Sequence, residues 1–124
     1  MKFTSFNPLI VSKDAQSAIS VFEALGFERI HSIDAEHNDG TLIKTVCLKD
    51  SNGFRVDVAQ ADDLKQDLSL IRMNVDNFDE ALEFLKSKGF RTAREETLDT
   101  RTNKSAMVIS PSGFAFDLCQ HIKD

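Results

Sequence analysis

Apolar residues recur along the chain with helical spacing in two segments. AISVFEALGF (18–27) and ALEFLKSKGF (81–90) place them three and four positions apart, which predicts two amphipathic helices. Each pattern ends at a glycine, the residue best suited to the left-handed helix cap, followed by a phenylalanine. Asn77 with Glu80 resembles a capping box at the start of the second helix. The core-facing positions are Ala15, Ala18, Ile19, Phe22 and Leu25, then Phe78, Ala81, Leu82 and Leu85.

Apolar and alternating stretches around each helix predict strands. One precedes each helix, NPLIVS from Asn7 and LSLIRMNV from Leu68, and three follow it. NDG (38–40), SNG (51–53) and SPSG (110–113) are predicted to form turns, and the polar stretch 95–104 a hairpin tip. The strands after the helices are predicted at 27–33, 41–49 and 53–60, then at 90–95, 104–110 and 113–120.

The two halves repeat one phrase, NGFRVDVAQ (52–60) and SGFAFDLCQ (112–120), with Gly, Phe, Asp and Gln at matching positions. Such self-similarity indicates two copies of one structural module. We therefore predict a single domain, 1–124, of two βαβββ modules. A ferredoxin-like fold is the alternative, but it leaves one strand per half unassigned. Module one covers about 1–60, a linker 61–67, and module two about 68–124.

Charge and hydropathy narrow the classes of partner. The net charge is -5 and the basic residues are scattered, which argues against nucleic-acid binding. No apolar run approaches the length of a membrane helix, and the first residues lack the apolar core of a signal peptide. We expect a cytoplasmic protein with no membrane partner, whose two cysteines, Cys47 and Cys119, are buried thiols rather than a disulfide or a zinc pair.

Two segments resemble the vicinal oxygen chelate superfamily, which includes glyoxalase I, bleomycin-resistance proteins, extradiol dioxygenases and fosfomycin-resistance transferases. They are VSKDAQSAISVFEALGF (11–27) and SPSGFAFDLCQ (110–120). The resemblance implies an α+β fold in which two tandem βαβββ modules form a curled mixed sheet around a cup-shaped cavity, with the helices outside. It also implies a homodimer.

The resemblance further implies where a divalent metal would bind, through a His on the first strand and a Glu on the last strand of the modules. Those positions fall on Phe6, Asp57, Leu70 and Asp117, and a shift of one residue brings in Asn7 and Ile71. Phe and Leu side chains offer no donor atom to a cation that needs several oxygen or nitrogen ligands. We therefore expect no metal site and no cofactor, and keep a divalent metal with an atypical ligand set as the alternative.

Strand alternation predicts which side chains face the cup. Phe54, Val56 and Val58 are expected to pack on the first helix, which leaves the residues between them on the other face. The same argument applies to the other inner strands. The predicted cup-facing residues are Phe6, Pro8, Ile10, Arg55, Asp57, Leu70, Arg72, Asp117 and Cys119.

Several roles are open for these side chains. The aspartates can pair with Arg55 and Arg72 as structural ion pairs, since an unpaired buried carboxylate is costly. The same charges can orient a small cationic or zwitterionic ligand against the apolar positions. Catalysis by one aspartate, or by a Cys119–His121 pair, is a further hypothesis, with Cys119 as a small apolar filler the plainer interpretation.

The function we expect is therefore that of a glyoxalase-like, bleomycin-resistance-like protein that binds a small molecule without a metal. The alternatives are a metal-dependent lyase, isomerase or dioxygenase, and a non-catalytic interaction module.

Overall fold

The computed structural model describes residues 1–36, 42–93, 98–99 and 103–121. Neither helix in these ranges is long and apolar enough to cross a membrane. The elements in chain order are β1 (Phe3–Ser12), α1 (Ala15–Ala24), β2 (Glu28–Glu36), β3 (Leu42–Lys49), β4 (Arg55–Gln60), β5 (Leu68–Val75), α2 (Phe78–Ser87), β6 (Arg91–Thr92), β7 (Leu98–Asp99), β8 (Asn103–Ile109) and β9 (Ala115–His121).

The first compact unit, here the N-terminal unit, is Asn7–Ser69. Its strands lie in the order β2-β3-β4-β1, with β4 parallel to β1 and the other pairs antiparallel. Helix α1 covers one face of this sheet because its apolar stripe packs on alternate residues of the strands. The buried residues of that core are Ala15, Ile19, Leu48, Val56 and Val58.

The second compact unit, here the C-terminal unit, is Leu70–Asp124 together with Met1–Phe6. In it β5 runs parallel to β9, and β8 is antiparallel to β9, β6 and β7. Helix α2 covers one face of these strands. The buried residues of that core are Met73, Val75, Phe78, Ala81, Ala106, Val108 and Leu118.

Hydrogen bonds explain why the first residues of the chain belong to the C-terminal unit. The Lys2 carbonyl accepts from the Asp76 amide at 3.0 Å, and the Asp76 carboxylate accepts from the Lys2 amide at 2.6 Å. The terminal ammonium pairs with Glu80 at 3.0 Å. These bonds hold the start of β1 beside the loop between β5 and α2.

The α+β class and the βαβββ order of elements are confirmed, and both helices lie where the spacing predicts them. Asn77 caps α2 by accepting from the Glu80 amide at 3.1 Å, as predicted. Strand β7 was not predicted, because 95–104 carries no apolar alternation. The predicted NDG turn lies outside the described residues.

The face predicted for β1 is wrong by one residue. Ile10 packs against the core beneath α1 instead of facing away from it. Asn7 and Leu9 are buried, whereas Phe6 and Pro8 are exposed. The error arises because NPLIVS is nearly all apolar, so its sequence has no alternation from which to assign a face.

The repeated glutamines join each last strand to the helix of the same unit. The Gln60 side chain accepts from the Ala15 amide at 2.9 Å and donates to the Lys13 carbonyl. Ala15 is the first residue of α1, so this bond satisfies an amide that has no partner within the helix.

Gln120 does the same in the C-terminal unit. Its side chain accepts from the Phe78 amide at 2.7 Å and donates to the Asp76 carbonyl at 3.0 Å. Phe78 is the first residue of α2. The glutamine that ends both copies of the repeated phrase therefore has a structural role, since its side chain caps the first amide of the helix in each unit.

We expect Gln120→Ala to lower the free energy of unfolding by about 1–3 kcal/mol, because a buried helix amide and a loop carbonyl lose their partners. Gln120→Glu keeps the acceptor and loses the donor, so its loss should be intermediate. Urea unfolding measures both.

The matched control is Gln66→Ala, at an exposed position in the segment after β4, which should change stability by no more than about 0.5 kcal/mol. An equal loss in Gln66→Ala and Gln120→Ala would refute the capping role.

Candidate functional site

Asp57 lies on the sheet face opposite α1, which we call the Asp57 face. Its neighbours Val56 and Val58 point into the core beneath the helix, so alternation directs the carboxylate to the other side. Its cross-strand partners on that face are Leu9 of β1 and Cys47 of β3.

The Asp57 face is closed to solvent around the carboxylate. Asp57 is only 2% exposed, and the side chains of Leu9 and Cys47 beside it are buried as well. A ligand would reach Asp57 only if these neighbours moved. Further buried residues of the same face are Asn7, Thr45 and Ala59.

Asp117 lies on the sheet face opposite α2, which we call the Asp117 face. Phe116 and Leu118 pack toward α2, so Asp117 points the other way. Arg72 is its cross-strand partner on β5, and Nε of Arg72 lies 3.8 Å from Oδ2 of Asp117. The two side chains form an ion pair and retain 14% and 23% exposure.

The Asp117 face is arranged in rows across strands β5, β9 and β8. The middle row is Arg72, Asp117 and Met107, as the strand registers give it. Two further rows flank it, each two residues along every strand from the middle row. One flanking row is apolar and the other is polar. The apolar row is Leu70, Ala115 and Ile109, all half-buried, and the polar row is Asn74, Cys119 and Ser105.

A hydrogen bond fixes the polar row at the edge of β1. Asn74 Nδ2 donates to Ser5 Oγ at 2.7 Å. Sequence reasoning missed Ser5, Ser105 and Met107, because only the register between strands assigns them to this face. The face of Asn74, in contrast, can be predicted from the sequence, because Asn74 alternates with Met73 and Val75, which pack on α2.

Cys119 does not have the properties of a catalytic nucleophile. It is 3% exposed. Burial raises the pKa of its thiol far above the usual range, the Asp117 carboxylate adds to the rise, and Arg72 opposes it. A thiol that stays protonated is a poor nucleophile. His121, the hypothetical partner, is exposed at the end of β9.

The structure distributes the other predicted site residues over different surfaces. Arg55 is exposed at the start of β4, beside Lys49 of β3. Phe6 is 59% exposed and lies 5.7 Å from Phe3, ring centre to ring centre. Of the predicted charges, Arg72 and Asp117 are brought together by the strand register.

The residues at the metal-ligand positions of the superfamily do not fit a divalent cation. Leu70 supplies no donor, and the cation beside Asp117 is the Arg72 guanidinium, which would repel a metal ion at the same carboxylate. Within the described ranges, no group of three or more His, Cys, Asp or Glu side chains could hold a metal ion. Asn7, rather than Phe6, occupies the first-strand position that corresponds to a metal ligand in the superfamily, because Asn7 is buried on the Asp57 side of β1.

We expect the thiols of the native protein to react with Ellman's reagent about 100-fold or more slowly than in denaturant, because burial limits both access and ionisation. Cys47→Ala isolates the reaction of Cys119, and circular dichroism checks that this variant is folded. Rapid reaction of Cys119 in the folded variant would contradict the burial described above.

Comparisons with known proteins identify the family and the fold. A model of the glyoxalase/bleomycin resistance protein/dioxygenase superfamily matches residues 5–118. A search of curated protein sequences finds no match.

Solved structures share the fold at low sequence identity. Methylmalonyl-CoA epimerase from Mycobacterium tuberculosis has a TM-score of 0.69 and 17% identity, over 98% of this chain and 90% of that one. A variant of the Streptomyces coelicolor epimerase, in complex with 2-nitronate-propionyl-CoA, has a TM-score of 0.67 and 15% identity, over 98% and 100%. A superfamily member from Vibrio splendidus 12B01 has a TM-score of 0.60 and 20% identity, over 96% and 99%.

At these identities the structures establish the fold alone. The family model, in contrast, covers nearly the whole chain, from the start of β1 to β9. This protein belongs to the glyoxalase/bleomycin resistance protein/dioxygenase superfamily.

Proposed function

We propose that this protein binds a small molecule on the Asp117 face, through the Arg72–Asp117 pair and without a metal ion. The observation that carries the proposal is the pair itself, 3.8 Å apart and partly exposed. Asp117 retains enough surface to contact a positively charged group of a ligand, whereas Asp57 does not.

The surroundings of the pair support binding of an organic ligand. Small-molecule sites combine apolar lining with a few placed polar groups. Leu70, Ala115 and Met107 are half-buried around the charged pair, so a ligand can bury apolar surface beside its polar contacts. The protein has no Tyr or Trp, so a ligand would not receive hydrogen bonds from those side chains.

Relatives with the same fold also support a small-molecule site. Besides the Streptomyces coelicolor complex, a methylmalonyl-CoA epimerase was solved with methylmalonyl-CoA and NH4+. These ligands belong to those proteins. For this chain, they support only the idea that the fold can bind a small molecule. The proposed charge of the ligand comes from the charged residues of the Asp117 face.

We expect manganese, nickel, zinc and iron(II) to leave the melting temperature unchanged and to be removed by desalting, because Arg72 competes with a cation for Asp117. Metal analysis after desalting measures this. Stoichiometric metal that Asp57→Ala and Asp117→Ala both abolish would overturn the metal-free proposal.

We expect a thermal-shift screen of small cationic and zwitterionic compounds to yield a ligand, which at a hundredfold excess over its Kd stabilises the fold by about 2.7 kcal/mol. Asp117→Asn should weaken it about tenfold or more, since a charge-assisted contact is lost.

Asp63→Asn is the matched control, at an exposed position after β4, and should leave affinity unchanged. A ligand that binds equally well to Asp117→Asn would show that the site lies elsewhere.

A further inference from the structure

We infer that Asn52 is a site of spontaneous deamidation, at which the amide nitrogen of Gly53 attacks the Asn52 side chain and rearranges the turn between β3 and β4. This inference is independent of the proposed function. It rests on the exposure of Asn52, on the absence of a side chain at Gly53 and on the contacts that hold other asparagines of the described chain.

The reaction joins two neighbouring groups of the turn. The Gly53 nitrogen loses its proton to solvent and forms a bond to Cγ of Asn52, while the side-chain nitrogen of Asn52 takes up a proton and leaves as ammonia. Water then opens the resulting cyclic imide at either carbonyl. One product is aspartate at position 52. The other is isoaspartate, in which the backbone passes through the side-chain carbon and gains a methylene.

The turn exposes both reacting groups. Asn52 and Gly53 are exposed, and no hydrogen bond among the described residues engages the Asn52 side chain. Gly53 has a φ of +90°, a backbone conformation that favours glycine. Because glycine has no β-carbon, its nitrogen can approach the side-chain carbonyl of Asn52 closely. The residue that this turn requires at position 53 is thus the one that hinders the attack least.

Hydrogen bonds limit how often the attack can occur. The Gly53 amide donates to the Asp50 carbonyl at 3.1 Å. Oδ1 of Asp50 accepts from the amides of Asn52 and Phe54, at 3.0 and 2.9 Å. The Gly53 nitrogen must leave its own bond before it attacks, so the reaction proceeds from a locally opened turn. Asp50 therefore controls the rate by holding the turn closed.

Two asparagines of the strands are protected from the same reaction. Asn7 is 5% exposed and precedes Pro8, whose nitrogen carries no proton to lose. Nδ2 of Asn74 donates to Ser5 Oγ at 2.7 Å, and the following residue, Val75, is β-branched and 2% exposed. In both cases the attacking nitrogen or the attacked side chain is blocked.

Two further asparagines are also less reactive than Asn52. The side chain of Asn77 caps α2, and the Phe78 amide that would attack it donates to Gln120 at 2.7 Å. Asn103 lies in β8 and precedes Lys104, whose β-carbon crowds the amide nitrogen. Among the asparagines that the structure describes, Asn52 is therefore expected to react first.

Peptide mapping of the aged full-length protein tests the site. After incubation in warm, mildly alkaline buffer, trypsin cuts after Lys49 and Arg55 and releases the turn as the peptide 50–55. Mass spectrometry detects the exchange of NH for O, chromatography separates the aspartate and isoaspartate products, and an unaged sample corrects for reaction during digestion. We expect Asn52 to be modified before any other described asparagine. Earlier modification of one of those, or an unmodified 50–55 peptide when urea-unfolded protein has reacted fully, would overturn the inference.

A variant of Asp50 tests the hydrogen bonds of the turn. Asp50→Ala removes the acceptor of two amides, so Asn52 should react about tenfold faster, because the open turn is more populated. Asp63→Ala, at an exposed position after β4, is the matched control and should leave the rate unchanged. Equal rates in the two variants would overturn the role assigned to Asp50.

Asn52→Ser tests the consequence for the fold. It reproduces the Ser112–Gly113 pair of the matching turn in the C-terminal unit and has no side-chain amide to lose. After ageing, the wild type should gain a population of lower melting temperature, because isoaspartate lengthens the backbone beside the Lys49–Arg55 pair of the β3–β4 register. Asn52→Ser should not gain this population. An equal loss in the aged variant would contradict the assignment of this change to Asn52.

Discussion

The two-residue alternation of the strands determines the placement of Asp57, Arg72 and Asp117. On β9, Phe116 and Leu118 must cover the apolar stripe of α2, so Asp117 between them can only face the other way. On β5, Met73 also packs against α2, so its neighbour Arg72 lies on the same face as Asp117. The helix-packed core therefore brings the two charges together.

Alternation also explains how much of the molecule could be predicted from its sequence. Both helices, the succession of strands along the chain and the faces of β4, β5 and β9 follow from apolar periodicity. The face of β1 does not, because NPLIVS is apolar on both sides, and Ile10 was assigned to the wrong one. Cross-strand neighbours such as Met107 and Ser5, and the hydrogen bonds of Gln60 and Gln120, depend on the three-dimensional register, which no single segment encodes.

The residues beside Asp117 bear on whether its carboxylate accompanies a metal ion or a side-chain cation. Here Arg72 lies beside Asp117 of β9. Leu70, at the first-strand metal-ligand position, lies two residues before Arg72 on β5. The positive charge that a metal would supply is already provided by the guanidinium. The proposed function assigns the recognition of charged groups to this pair, at a carboxylate that keeps part of its surface in solvent.

The central claim is that Arg72, rather than a metal ion, is the cation that accompanies Asp117. NMR of the Arg72 Nε–Hε group, assigned by its loss in Arg72→Gln, tests this claim most directly. We predict that the signal stays sharp with equimolar Mn²⁺ and shifts on addition of a zwitterionic ligand. Selective broadening of this signal by Mn²⁺, abolished in Asp117→Ala, would contradict the claim.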